Sequence, residues 1–96
     1  MRRTRTIKVG DLVDDLFRDP VIRRKIAEGR LPDTWAEVAG PMVASCTGEV
    51  SYKNGIMIVK ITSSVVRHET FMRRTFLRDE INLKSGAALV RELIIK

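Results

Sequence analysis

Apolar residues recur along this chain at two periods, and the change of period separates helical from extended parts. Val9, Leu12, Val13, Leu16 and Phe17 fall at the three- and four-residue spacing of an amphipathic helix. Asp19-Pro20 closes that helix and opens a second, with Asp19 as N-cap and Pro20 in the first turn. The second carries Ile22 and Ile26 and ends near Gly29, a residue suited to a helix C-terminus. Thr34 and Glu37 have the spacing of a capping box, so a third helix is expected from Thr34. Its apolar stripe is Trp35, Val38, Ala39, Met42 and Val43, and Gly40-Pro41 should kink or split it.

The period then drops to two. Asn54-Gly55 between two β-rich runs predicts a two-residue type I′ hairpin, because both turn positions need a positive φ. Such a turn sets Lys53 opposite Ile56, Tyr52 opposite Met57, Ser51 opposite Ile58, Val50 opposite Val59 and Glu49 opposite Lys60. One face is then Val50, Tyr52, Met57, Val59 and Ile61, which is core. The other carries Glu49, Ser51, Lys53, Ile56, Ile58 and Lys60 and is open to solvent or to a partner.

Ser63-Ser64 supplies an N-cap for one long helix over about residues 64–84, with Gly86 just beyond it. Residues 90–96 close the chain as a third strand. On a wheel of about 100° per residue, Val66, Thr70, Leu77 and Ile81 share the side expected against the sheet. Arg67, Arg74 and Arg78 share a second side, with Phe71 beside them. Val65, Met72 and Phe76 form a third, smaller patch, expected to pack on the N-terminal helices or else to dock a partner. The whole reads as one α+β domain: a helix-β-β-α-β layer with a three-stranded sheet, resembling KH domains and preceded by short helices. Residues 1–6 read as a flexible basic arm and residues 7–96 as the domain.

Charge sharpens this picture. The 96 residues carry a net +6, unevenly placed. Residues 1–10 hold Arg2, Arg3, Arg5 and Lys8 without an acid, a block of +4. Residues 11–50 have eight acids and five bases, and residues 51–96 nine bases and four acids. Basic ends around an acidic middle favour a polyanionic partner, and nucleic acid is the polyanion to expect. Three guanidiniums along one helix side can follow a phosphate backbone, with Phe71 placed to stack a base.

Catalytic chemistry finds no footing. Cys46 follows an apolar stretch and reads as a small core residue. His68, the sole histidine, has no partners at metal-ligand spacing. Asp14-Asp15 and Asp79-Glu80 are adjacent pairs, whose members diverge on a helix and do not converge as an acid/base dyad. The chain has neither GxxxxGK[ST] nor GxGxxG, so nucleotide hydrolysis is not expected, and no cofactor or metal is called for. The longest aliphatic run, Ile56 to Val59, is far below the roughly 20 residues that span a bilayer. With no apolar segment after the basic start and a single cysteine, a cytoplasmic, membrane-free binding protein is expected.

Beyond these local signals, Trp35-Ala36-Glu37-Val38-Ala39-Gly40 begins an ordered set of residues that resembles the DciA family. The set continues through Val43-Ala44, Asn54-Gly55 and Met57-Ile58-Val59-Lys60-Ile61 to Ser63-Ser64 and Arg67-His68-Glu69. It ends with Leu77, Ile81-Asn82, Gly86 and Val90-Arg91-Glu92-Leu93. The resemblance implies a KH-like fold without ATPase activity, and a role in delivering the replicative DNA helicase of bacteria to origins. It also implies the helicase and DNA as partners. The chain has no GxxG, so the RNA-backbone clamp of true KH domains is not expected.

Two function classes follow. One is a nucleic-acid-binding accessory protein of replication, working on single-stranded or duplex DNA through Arg67, Arg74, Arg78, Phe71 and the arm residues Arg2, Arg3 and Arg5. The other is a non-catalytic adaptor that docks a protein on Ile56 and Ile58 of the open hairpin face, or on Val65, Met72 and Phe76. The arm yields a direct test. Deleting residues 1–6 should leave the melting temperature unchanged and weaken DNA binding at low salt. A large fall in melting temperature would show that the arm is packed.

Overall fold

In the computed structural model, which describes residues 18–96, the Asn54-Gly55 turn is the point from which the sheet grows. Asn54 has φ 51° and Gly55 φ 84°, the pair of positive values that a type I′ turn demands. Strands β1 (Thr47–Lys53) and β2 (Ile56–Ile61) leave it in the expected antiparallel register, from Lys53 opposite Ile56 to Glu49 opposite Lys60. A bulge between Thr47 and Glu49 ends the regular pairing. Strand β3 (Glu92–Ile95) lies parallel to β2, giving the order β1-β2-β3. Its pairing is extended by Arg91 N–H on Gly55 O at 2.7 Å and Lys96 N–H on Val59 O at 2.8 Å. Val90, expected in the strand, instead belongs to the loop before it.

Among the described residues, four helices lie before or after the hairpin as the apolar pattern expects, and a fifth arises from an unexpected break. Helix α1 (Pro20–Gly29) is capped by Asp19, whose Oδ1 accepts Val21 N–H at 2.9 Å. Helix α2 (Leu31–Ala39) begins three residues earlier than the capping-box reading put it. Pro32 occupies its first turn, and Thr34 is buried with its N–H already bonded to Arg30 O at 2.9 Å, so Thr34 caps nothing. Gly40, at φ 94°, splits the expected third helix, and α3 (Pro41–Ser45) starts afresh at Pro41.

The long helix expected over residues 64–84 is two helices, α4 (Ser64–Met72) and α5 (Arg74–Ser85). Ser63 Oγ accepts Val66 N–H at 3.4 Å at the start of α4. At the far end Thr70 Oγ1 donates to Val66 O at 2.7 Å, a local bond that bends helices. Arg73 N–H then bonds to Thr70 O, one residue short of the α-helical partner, and Arg73 closes one helix and opens the next. Gly86, left-handed at φ 76°, ends α5 as expected. The element order of the layer is thus helix-β-β-α-α-β, a KH-like α+β fold.

The core lies between the helices and one face of the sheet. Met57, Val59, Ile61 and Leu93 point into it from the strands, and Leu31, Trp35, Leu77, Ile81, Leu89 and Val90 meet them. Val66, Thr70, Leu77 and Ile81 face the core as the wheel places them, although the break separates them into two pairs. Trp35 satisfies its indole through a relay: Nε1 donates to Thr47 Oγ1 at 2.9 Å, and Thr47 Oγ1 donates to Val43 O at 2.9 Å. Cys46 is half-buried and packs against this core. Among the described residues no helix is long and apolar enough to cross a membrane. The arm and the helix expected over Val9 to Phe17 lie outside the described residues.

Trp35→Ala should destabilise the domain by about 3–5 kcal/mol, since it removes a buried aromatic and the hydrogen bond donated to Thr47. Urea denaturation measures this. A variant that retains its stability but loses ligand binding would make Trp35 a contact residue instead.

Candidate nucleic-acid interface

The sequence places three arginines on one side of one helix, whereas the structure gives each a different situation. Arg74, at the start of α5, lies over the Phe71 ring at 4.0 Å from its centroid, and its Nη1 donates to Phe71 O at 3.1 Å. Phe71 remains 42% exposed. The two residues are three apart in sequence and so lie on one side of the chain as it passes from α4 to α5. A guanidinium stacked on an open ring joins a fixed cation to a flat apolar surface.

Arg78, one turn further along, is held on both sides. Its Nε and Nη2 donate to Asp79 Oδ1 at 3.1 and 2.9 Å, and its Nη1 donates to Arg91 O at 3.3 Å. Much of its charge is therefore met internally. Arg67 belongs to α4 and is half-buried, with Nε sealed from solvent and unpartnered among the described residues. Arg2, Arg3 and Arg5 lie outside the described residues. The sequence reading missed Arg73, which sits 5.4 Å from the Phe76 centroid and repeats the Arg74–Phe71 motif on the neighbouring side. The recurring Arg-x-x-Phe and Phe-x-x-Arg spacings, three residues each, were the available signal.

Among the described residues, the patch of Val65, Met72 and Phe76 is not buried against the helices that precede the hairpin. These residues are 69%, 69% and 54% exposed. Met42, assigned to a core stripe, is 67% exposed as well, because the split at Gly40 turns α3 away from the line of α2. Between α2–α3 and α4–α5 lies a cleft of about 260 Å³, lined by apolar groups including Ala39, Met42, Val43 and Val65, with Arg73 and Glu69 also in its lining.

Ile56 and Ile58 are half-buried on the sheet face opposite the core, where register sets Ile94 beside Ile58. A hollow of about 180 Å³ on that face is lined by Glu49, Ser51, Ile58, Lys60 and Lys96. His68 is exposed, and no group of three or more potential metal ligands converges among the described residues.

The two well-placed arginines should separate in a thermal denaturation series. Arg78→Ala should cost about 1 kcal/mol, since it removes a bond to the backbone of the strand-entry loop. Arg74→Ala should stay within about 0.5 kcal/mol, as an exposed helix position. Equal losses would mean that Arg74 is as structural as Arg78.

No curated protein sequence matches the chain significantly. The profile of one family, described as Dna[CI] antecedent, DciA, matches residues 8–95. That span takes in the split helices, the hairpin, the α4–α5 pair and the closing strand, and the chain belongs to the DciA family.

Proposed function

We propose that this domain is a non-catalytic accessory module of bacterial DNA replication that holds DNA while engaging the replicative helicase. Membership of the DciA family implies a role of the helicase-loader type. The DNA contact runs along α4 and α5, with Arg74 and Phe71 at its centre and Arg2, Arg3 and Arg5 reaching from the N-terminus, while Arg78, paired internally, and Arg67, half-buried, contribute background charge. The observation that carries it is the exposed Arg74–Phe71 stack, which offers phosphate a cation and an unpaired base an aromatic surface within one helical turn. Arg73 beside Phe76 adds a second such unit. In this reading these groups act by binding, in the cytoplasm where replication proceeds.

The exposed patch of Val65, Met72 and Phe76 favours a second reading, in which the domain is chiefly an adaptor. There the helicase sits on this patch and the charge serves solubility.

Salt dependence separates the two. Arg74→Ala should weaken binding to all DNA sequences alike and flatten log affinity against log salt by about 0.7 on single strands and about 0.9 on duplex. Phe71→Ala should weaken single-strand binding by about 1–3 kcal/mol and leave the slope unchanged. Titration of labelled oligonucleotides at three salt concentrations provides both numbers. If neither variant changes binding while Phe76→Asp abolishes capture of the replicative helicase, the adaptor reading holds.

A further inference from the structure

Helix α1 contains no buried residue, and a cleft lies along each of its flanks. The larger, of about 490 Å³, separates α1 from the hairpin tip and the loop before β3. Arg24 and Lys25 enter its lining from α1, Lys53 from the hairpin and Arg91 from the loop, against Glu28. The smaller, of about 340 Å³, lies between α1, α2 and the end of α5, and is lined by Arg23, Arg30 and Lys84 against Glu37.

Internal pairing uses up part of this charge. Glu28 accepts Arg24 at 3.3 Å, and Glu37 lies 3.8 Å from Lys84. Arg91 is turned to the hairpin, where its Nη2 donates to Asn54 O. Lys25 and Lys53 are left in the larger cleft and Arg23 and Arg30 in the smaller, all four exposed and without an ion pair among the described residues.

Four unneutralised cations around one ten-residue helix repel one another, and an anion that reaches both flanks relieves that repulsion. Lysine ammoniums on long stems suit an extended run of diffuse charge better than a single oriented carboxylate. A nucleic-acid strand supplies such a run, with one charge per about 3.4 Å against a helix about 15 Å long.

We propose that α1 is a second nucleic-acid contact of this domain, in which a phosphodiester backbone lies between α1 and the hairpin tip, held by Lys25 and Lys53. Arg23 and Arg30 hold either the continuation of that strand or its complement. The surface shares no side chain with the Arg74–Phe71 stack. It rests on the reading that the domain binds nucleic acid, and it extends the charged path from the α4–α5 side to the hairpin end.

The test uses the full chain with a labelled single strand and a duplex of matched length. Lys25→Ala combined with Lys53→Ala should lower affinity at least about tenfold at low salt. It should also flatten the salt slope by about 1.4 on the single strand or about 1.8 on the duplex. Lys25→Gln with Lys53→Gln keeps the side-chain length and should behave alike, and melting temperatures should not move. Arg23→Ala with Arg30→Ala should weaken both ligands if one strand continues across α1, and the duplex alone if the complement lies there.

An unchanged slope in the lysine variants, with loss on Arg74→Ala, would overturn this proposal and leave the α4–α5 contact standing. Loss in the lysine variants with none on Arg74→Ala would support α1 and remove the α4–α5 placement. Polyglutamate bound as tightly as oligonucleotide, with the same sensitivity to the lysine variants, would overturn the assignment of the cleft to a phosphodiester.

Discussion

Parallel pairing of β3 with β2 cannot be made through a tight turn, so the chain must cross over the sheet, and α4 and α5 are that crossover. Its return is fixed by polar bonds at the point where packing alone would leave freedom. Asn82 of α5 donates Nδ2 to Val90 O and accepts Val90 N–H through Oδ1, each at 2.9 Å, satisfying both backbone groups of a buried residue. Tyr52 Oη donates to Leu89 O at 2.7 Å from the hairpin side. Next to Val90, Arg91 folds over the turn. A Cβ at Gly55 would lie 2.5 Å from Arg91 Nε and would push that side chain off the turn, while the positive φ is what favours glycine there. The loop before β3 is thereby stapled to both the helix and the hairpin.

This stapling explains why the basic residues are not equivalent. Arg78 and Arg91 supply bonds that hold the crossover and its strand together. Arg74 has no ion-pair partner among the described residues and stacks on Phe71, three residues before it. Cations that serve the fold and cations available to a ligand are thus interleaved along the chain, and composition alone does not sort them.

The hairpin was legible in the sequence down to its register, because Asn54-Gly55 permits one turn type and the period of two then follows. The buried side of α4 and α5 was legible for a similar reason, since four apolar or methyl-bearing positions hold a single phase. The break between those helices was not. Thr70 bonds back to Val66 just before it, a contact that propensity does not reveal, and no glycine or proline marks the position. The early start of α2 was obscured because Thr34 and Glu37 imitate a cap, while Pro32 was the real signal. The α1 cations were also missed, although Arg23 and Arg30 are seven residues apart and so share a face. Their importance emerges only once the hairpin tip and the end of α5 are seen to flank the same helix.

A domain of this size meets its obligations to the core with one sheet face and the inner sides of the helices, which leaves cations on α1, the hairpin tip and α4–α5 for a polyanion. The most direct test is nuclear magnetic resonance of the isotope-labelled chain during titration with an oligonucleotide. Amide and guanidinium shifts should concentrate at Phe71 to Arg74 and at Lys25, Lys53 and Asn54, with the core amides of Met57 and Val59 unmoved. Shifts centred instead on Ile56, Ile58 and Ile94 of the open sheet face, or none at saturating DNA, would contradict the assignment of these basic surfaces to nucleic acid.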